Sequence, residues 1–358
     1  MPRRQKGPRV HLKPAHGTRR SVWIIKDGEK RISTGCCADD AEGARVAFTR
    51  YLASTHTPPP GEEPLINEVI AIYRREVEPN LARPDLIAYS VKHLVEFWGD
   101  DVVSAIKKPR CDAYVIWRCK MGVSTTTARH DLKNLRAAVN YYRKTYGLKT
   151  VPIVTLPPKS DARVRWLTRQ EAAQLLRSTK TPRLRRFILI GLYTGTRSQA
   201  ILGLSWMPST SSGYIDLDKG VLYRRGADQR KTNKKQPPVT IPDRLLAHLR
   251  RWNRLDAQLG VHHVVHYQSS RVSKLRRSWA TARQAAGLDE DVIPHTLRHT
   301  AATWLMQLGI DMWEAAGYLG MSINMLEEVY GHHHPDHQRS IRTAFTRTTW
   351  HRSTTGVR

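Results

Sequence analysis

The chain has 358 residues, with 59 Lys and Arg against 31 Asp and Glu, for a formal net charge of +28. With 40% hydrophobic and 25% charged residues, it cannot be a wholly disordered basic chain, and its length allows two or three domains with real cores. No apolar run approaches the ~20 residues of a membrane span, and the Arg-rich start lacks the apolar stretch of a secretory signal, so neither feature is expected.

All parts of the chain are basic, so the charge is more than a tail. Residues 1–20 nonetheless hold seven Lys or Arg and no acid, including Arg3, Arg4 and Lys6, and read as a basic flexible arm. Residues 21–56 form a small module. Two β-prone runs flank Asp27-Gly28, a hairpin turn signal, and Ala44, Ala47, Phe48, Tyr51 and Leu52 follow at helical spacing. The Pro-rich stretch 57–64 reads as a linker. Over 65–148 the periodicity is helical in four segments, 65–77, 84–98, 101–120 and 124–146, with Ser124 as an N-cap, which predicts an all-helical bundle. Residues 149–162, with Pro152, Pro157 and Pro158, read as a second linker.

The remainder, 163–350, is mixed, and 351–358 is a polar tail. Thr168-Arg-Gln-Glu171 is a capping box, and a helix over 184–193 ends in Thr194-Gly195-Thr196. Short strands are expected at 214–217, 221–225 and 239–241 around a very basic loop. Asp243 should cap a helix with Leu245, Leu249, Trp252 and Leu259 on one stripe. Further helices are expected at 271–286, 296–308, 311–319 and 323–329. The four cysteines, Cys36, Cys37, Cys111 and Cys119, form no C-x-x-C pair and read as reduced thiols of a cytosolic protein.

A charge excess of this size points to a polyanionic partner, since each neutralised phosphate releases a counterion. Phosphate-loop, dinucleotide, zinc-protease and serine-elbow motifs are absent. His295-Thr-Leu-Arg298-His299 would place two imidazoles and a guanidinium on one helix face at i, i+3 and i+4. An Arg fork can hold two phosphate oxygens while a neighbouring imidazole moves a proton. Arg197 follows a tight turn at a helix start. Lys231 lies in the basic loop with Arg230, Lys234 and Lys235. Tyr330 precedes Gly331 and three consecutive histidines, His332, His333 and His334. A phenol is a poor nucleophile unless cations stabilise its anion. Consecutive histidines point apart and do not make a metal site, so no metal is expected.

Taken in order, Thr194-Gly195-Thr196-Arg197, Lys231-Thr232, His295-Thr296-Leu297-Arg298-His299, and Leu319-Gly320-Met321 followed by Tyr330 resemble the catalytic signature of the tyrosine recombinases, the phage integrase family. The resemblance covers roughly 160–345. It implies a multidomain, mainly α protein with a β-hairpin arm module, an all-α core-binding (SAM-like) bundle and a mixed α+β catalytic domain. It further implies a site-specific DNA recombinase, with Tyr330 as the nucleophile forming a 3′-phosphotyrosyl bond, independent of metal, ATP or cofactor. Arg197 and Arg298 would hold the nonbridging oxygens, His295 would assist proton transfer, and Lys231 would protonate the leaving 5′-oxygen. His299, Met321, His332 and His333 are candidate auxiliaries. Arg3, Arg4, Lys6, Arg224, Arg225, Arg230, Lys234 and Lys235 are candidate DNA-backbone contacts.

The implied partner is double-stranded DNA at att-like sites, bound by a homotetramer whose subunits are monomeric off DNA, with room for accessory DNA-bending or directionality factors. The implied setting is the cytoplasm of a bacterium or a phage host, in the integration or excision of a mobile element. The sequence departs from the family pattern at two positions. Met321 stands where His or Trp is usual and cannot donate a hydrogen bond, and Ala200 stands where Glu is common. The competing readings are a catalytically inactive or very slow DNA-binding protein of the same fold, a type IB topoisomerase or telomere resolvase, and a metal-dependent nuclease, for which clustered carboxylates are lacking.

Overall fold

The computed structural model describes residues 8–15, 20–55, 63–81, 84–148, 150–160, 164–229, 234–339 and 341, which divide into two compact units, 1–161 and 162–358. The fold is mostly helical with small antiparallel sheets. Among the described residues no helix is long and apolar enough to cross a membrane.

The first unit opens with three antiparallel strands, β1 (Arg9–Lys13), β2 (Val22–Asp27) and β3 (Lys30–Cys37), in the order β1-β2-β3. Gly28, at φ +57°, makes the turn between β2 and β3. Arg9–Lys13, expected as part of a flexible arm, is therefore a strand. Arg9–Lys13 pairs residue for residue with Val22–Lys26, because alternating Val10 and Leu12 give the basic stretch one apolar face and the edge of β2 offers free backbone groups. Arg3, Arg4 and Lys6 lie outside the described residues. Helix α1 (Ala41–Thr55) covers the sheet, and Phe48 packs with Ile25 and with Ala71 of the next helix. The hairpin module and the bundle thus share core contacts, and the three expected modules appear as two units.

The bundle comprises α2 (Ile66–Glu76), α3 (Pro84–Trp98), α4 (Lys108–Lys120) and α5 (Thr125–Tyr146), close to the helical periodicity of the sequence. Ser124 caps α5 by accepting from the Thr127 N–H. Ile66, Ile70, Leu94, Trp98, Leu132 and Leu135 fill the core. Arg118 and Tyr114 both donate to the buried Asp131 carboxylate at 3.0 Å. The Pro-rich stretch expected as a second linker is docked along α5 over part of its length. Val154 is buried in the bundle core, and Arg129 and Arg136 bind the carbonyls of Pro157 and Val154. Prolines lack the N–H for a ladder but leave carbonyls that arginines can reach.

In the second unit the Thr168–Glu171 capping box opens α6 (Arg169–Arg177), followed by α7 (Pro182–Thr194) and the short α8 (Ser198–Leu202). Strands β4 (Tyr214–Asp216), β5 (Val221–Tyr223) and β6 (Val239–Thr240) form one antiparallel sheet. Helix α9 (Asp243–Gln258), hairpin β7 (His266–Tyr267) and β8 (Ser270–Arg271), and α10 (Arg276–Ala285) lead to α11 (Thr296–Gln307), α12 (Met312–Leu319) and α13 (Ile323–Tyr330). Pro242 takes the cap position of α9, and Asp243 is its first helical residue. The expected stripe ends early, because Leu259 falls at the C-cap and is exposed, whereas Asp256 is buried. Asp256 accepts both arms of the Arg186 guanidinium (2.5 and 2.9 Å) and the Trp206 indole N–H (2.8 Å), tying α9 to α7. Leu297 of α11 packs on Gly191 of α7, where an added Cβ would lie 2.7 Å from it. This contact fixes α11 against the helix that ends in the Thr194 turn.

Candidate active site

Helix α7 ends at Gly195, whose left-handed backbone (φ +60°) turns the chain sharply into α8. A Cβ here would lie 2.4 Å from Leu319, so glycine is required by conformation and by close approach. Inside the turn, the Thr194 hydroxyl donates to the Ile190 carbonyl and accepts from the Thr196 N–H at 3.2 Å. Arg197 occupies the N-cap position of α8, and its guanidinium donates to the Lys235 carbonyl at 2.9 Å. With Ala200 in place of the usual Glu, this carbonyl is, among the described residues, the hydrogen-bond partner that positions Arg197.

Arg298 reaches the same turn from α11. It is 5% exposed and donates to the Gly195 carbonyl at 2.8 Å. A third guanidinium, that of Arg224, lies behind the turn, 3% exposed, and donates to Thr196 Oγ1 (3.0 Å), the Thr194 carbonyl (2.7 Å) and the Tyr318 carbonyl (2.7 Å). Arg224 is thus not the exposed DNA contact expected from the sequence; it is a strut between the Thr194 turn and α12. Continuing the alternation of β5, Arg224 falls on the same side as the core residue Leu222, a period-two signal that marks it as inward-facing. Burial and then Arg197 lower the pKa of Arg298 to about 10. Burial, then Arg298, lower that of Arg224 to about 9, and burial lowers that of Arg197. All three remain cationic at neutral pH, and among the described residues none is in an ion pair, so the turn is a concentrated positive site prepared for an anion.

The His295, Arg298 and His299 face forms as the spacing predicts. His295 sits at the start of α11 with one edge open to solvent, and its ring meets His299 edge-on at 4.9 Å between centroids. Its pKa falls to about 4, through desolvation by the surrounding protein and then the neighbouring His299, Arg298, Arg197 and Lys234. His299 is half-buried and lowered by burial, then by Arg298. Tyr330 ends α13, only 4% exposed, with its hydroxyl 2.5 Å from His299 Nδ1. Burial raises the phenol to about 12, with Arg298 opposing the rise.

Gly320, at φ +65°, closes α12 against the end of the basic loop, where an added Cβ would lie 2.7 Å from Pro237 and 2.8 Å from the Lys235 carbonyl. Met321 follows, partly buried against the small core of α11 to α13. It lines a recess of about 540 Å³ with Arg225, Lys234, Lys235 and Gly320. Lys234 and Lys235 are exposed, and Arg225 is intermediate, with its guanidinium 3.5 Å from the Gln229 carbonyl. Arg230 and Lys231 lie outside the described residues. His332 is exposed, His333 packs edge-on against Trp166 at 5.4 Å, and His334 Nδ1 accepts from the Asp336 N–H.

Residues 165–337 match the phage integrase family profile. The chain is 31% identical to the integrase of Salmonella phage P22 over 222 residues, 57% of this chain and 52% of that one. The match thus spans about half the length of that relative. It is 27% identical to the tyrosine recombinase XerA of Thermococcus kodakarensis over 274 residues, 74% of this chain and 90% of the relative. Two solved structures share the fold. One is a lambda integrase dimer bound to a COC′ core site, with a TM-score of 0.58 and 15% identity, covering 92% of this chain and 96% of that chain. The other is the Tn1549 transposon integrase in complex with transposon right-end DNA, with a TM-score of 0.62 and 16% identity, covering 80% and 99%.

Proposed function

The chain belongs to the tyrosine recombinase family, and from that premise we propose that it is a site-specific DNA recombinase that cuts and rejoins strands through a 3′-phosphotyrosyl intermediate. The observation that carries this reading is the convergence of Tyr330, His299, His295, Arg298 and Arg197 around the Gly195 turn. A phosphodiester under attack gathers charge on its nonbridging oxygens. Fixed guanidinium groups stabilise that charge more strongly in the transition state than in the ground state. Arg197 and Arg298 hold those oxygens, Tyr330 Oη attacks phosphorus, and the 5′-oxygen leaves with a proton from Lys231. His295, at the open edge, assists proton transfer at the phosphate. The phosphotyrosyl bond retains the energy of the cleaved one, so a new 5′-hydroxyl can reseal the strand without ATP.

Exchange between two duplexes calls for four such sites, hence a homotetramer on DNA, assembled from subunits that are monomeric off it. The setting is the integration or excision of a mobile element inside a bacterial cell. Met321 favours a second reading, a protein of this fold that binds DNA without cutting it, since that position lacks the usual donor. The test begins by selecting bound sequences from a random duplex library. The recovered site, built as a nicked suicide substrate, is then incubated with the protein in EDTA and run on a denaturing gel. A covalent adduct that disappears in Tyr330→Phe is the expected result. Tight, specific binding with no adduct would overturn the catalytic reading.

A further inference from the structure

We infer that His299 is the general base of the cleavage step, taking the proton from Tyr330 Oη as the phenol attacks phosphorus and returning it when the phenolate leaves on resealing; this rests on the recombinase reading above. The geometry is direct. Nδ1 of His299 and Oη of Tyr330 are 2.5 Å apart, and Oη has no other hydrogen-bond partner among the described residues. A buried phenol proton needs an acceptor, so Nδ1 accepts and the proton of the neutral ring sits on Nε2. His295 has no hydrogen bond to Tyr330 among the described residues. Its ring instead stands edge-on to His299 and limits how that ring can turn.

The electrostatics explain why the proton stays in place until attack. Burial raises the phenol to about 12 and lowers the imidazole, so transfer in the resting site is unfavourable. As the P–O bond forms, the Oη proton becomes strongly acidic and passes to Nδ1, the P–O5′ bond breaks, and the 5′-oxygen takes a separate proton. The groups around His299 work in the same direction. Arg298 on its own helix disfavours the imidazolium, and Arg197 and Lys234 act on the adjoining His295. The turn after Tyr330, which packs on α11, carries His332 and His333, but the shift of His299 comes from burial and Arg298. A DNA phosphate held by Arg298 would offset that guanidinium charge, so the base becomes competent when substrate is bound.

The test is single-turnover adduct formation on the suicide substrate from pH 5 to 9. His299→Asn is the variant of choice because its amide can accept the phenol hydrogen bond but cannot take the proton. In the wild type the rate should rise through a pKa below 6.5 and then level. In His299→Asn it should fall by about 10²–10³ at neutral pH and climb with pH without a plateau. The defect should persist on a substrate with a bridging 5′-sulfur, whose leaving group needs no proton, whereas that of Lys231→Ala should shrink. Melting temperature and DNA affinity equal to wild type establish that the Asn variant is folded; if it is not, His299→Gln is carried through the same profile. A wild-type rate and pH profile in the folded variant, or a defect erased by the 5′-sulfur, would overturn the assignment while leaving the recombinase reading intact. A wild type that forms no adduct would overturn both.

Discussion

The Lys235 carbonyl accepts the 2.9 Å hydrogen bond that positions Arg197, and that same oxygen lies close against Gly320. Two motifs far apart in the sequence, Thr-Gly-x-Arg and Leu-Gly, therefore meet through one backbone atom at the end of the basic loop. In Gly320→Ala the methyl would lie 2.8 Å from that oxygen and 2.7 Å from Pro237, at a φ of +65° that alanine adopts with strain. The expected cost is ~1–2 kcal/mol of stability. A larger effect on cleavage is expected, at least tenfold, because the loop must move away and take the Arg197 anchor with it. A melting curve set beside suicide-substrate kinetics at a temperature where the variant is folded checks this; equal losses in binding and cleavage would contradict it.

Arg224 should behave as a strut. Arg224→Met leaves two carbonyls and a hydroxyl without their donor, and a loss of ~3 kcal/mol is expected. Arg224→Lys cannot reproduce the planar fork and should recover only part of it. Neither change should alter the slope of log affinity against log salt, since a buried guanidinium neutralises no phosphate. Lys235→Ala, at an exposed position, should lower that slope by about one ion. A lower slope in Arg224→Lys would show that the residue does reach DNA.

These positions separate what local patterns encode from what tertiary contacts decide. The capping box at Thr168 and Glu171, the Ser124 cap and the grouping of His295, Arg298 and His299 follow from helix geometry, so they are legible at short range. Arg224 is misread because its charge suggests solvent, while its partners, Thr194, Thr196 and Tyr318, are distant in sequence. Asp256 is invisible for the same reason, since its partner Arg186 is 70 residues away. Arg9–Lys13 looks like a charged arm until β2 supplies an edge for it to pair with. The contact between His299 and Tyr330 joins elements 31 residues apart and needs α11 and α13 to be packed before it exists.

DNA binding should be linked to protonation of His295. Its pKa is held near 4 in the free protein, against about 6.5 when unfolded, by desolvation and by nearby cations. The unfolded chain therefore takes up a proton that the folded site resists, and this histidine makes the protein less stable as pH falls from 6.5 toward 4. A bound phosphate supplies the missing negative charge, raises the pKa and makes the complex bind the proton better. Affinity of Tyr330→Phe for its site should rise as pH drops from 7 to 5 at constant ionic strength. In His295→Gln the rise should be smaller, with a remainder from His299, also lowered in the free protein. A pH-independent affinity in both proteins would refute the linkage.

Replacing Met321 by a hydrogen-bond donor is expected to change the cleavage rate. Met321 follows Gly320 directly and lines the recess shared with Lys234 and Lys235, and it stands in the sequence where the family pattern places a hydrogen-bond donor. A thioether offers no donor, and losing one such hydrogen bond costs ~10²–10³ in rate where it acts on the developing charge. Met321→His should therefore speed single-turnover cleavage by about tenfold or more. Placing an imidazole against the small core of α11 to α13, on which Met321 packs, should cost ~1 kcal/mol of stability. Met321→Leu, equally apolar and equally without a donor, should leave the rate near wild type. If Met321→His were folded and no faster, charge stabilisation by the arginines alone would already be sufficient, and the rate would be limited by a step before or after the attack of Tyr330.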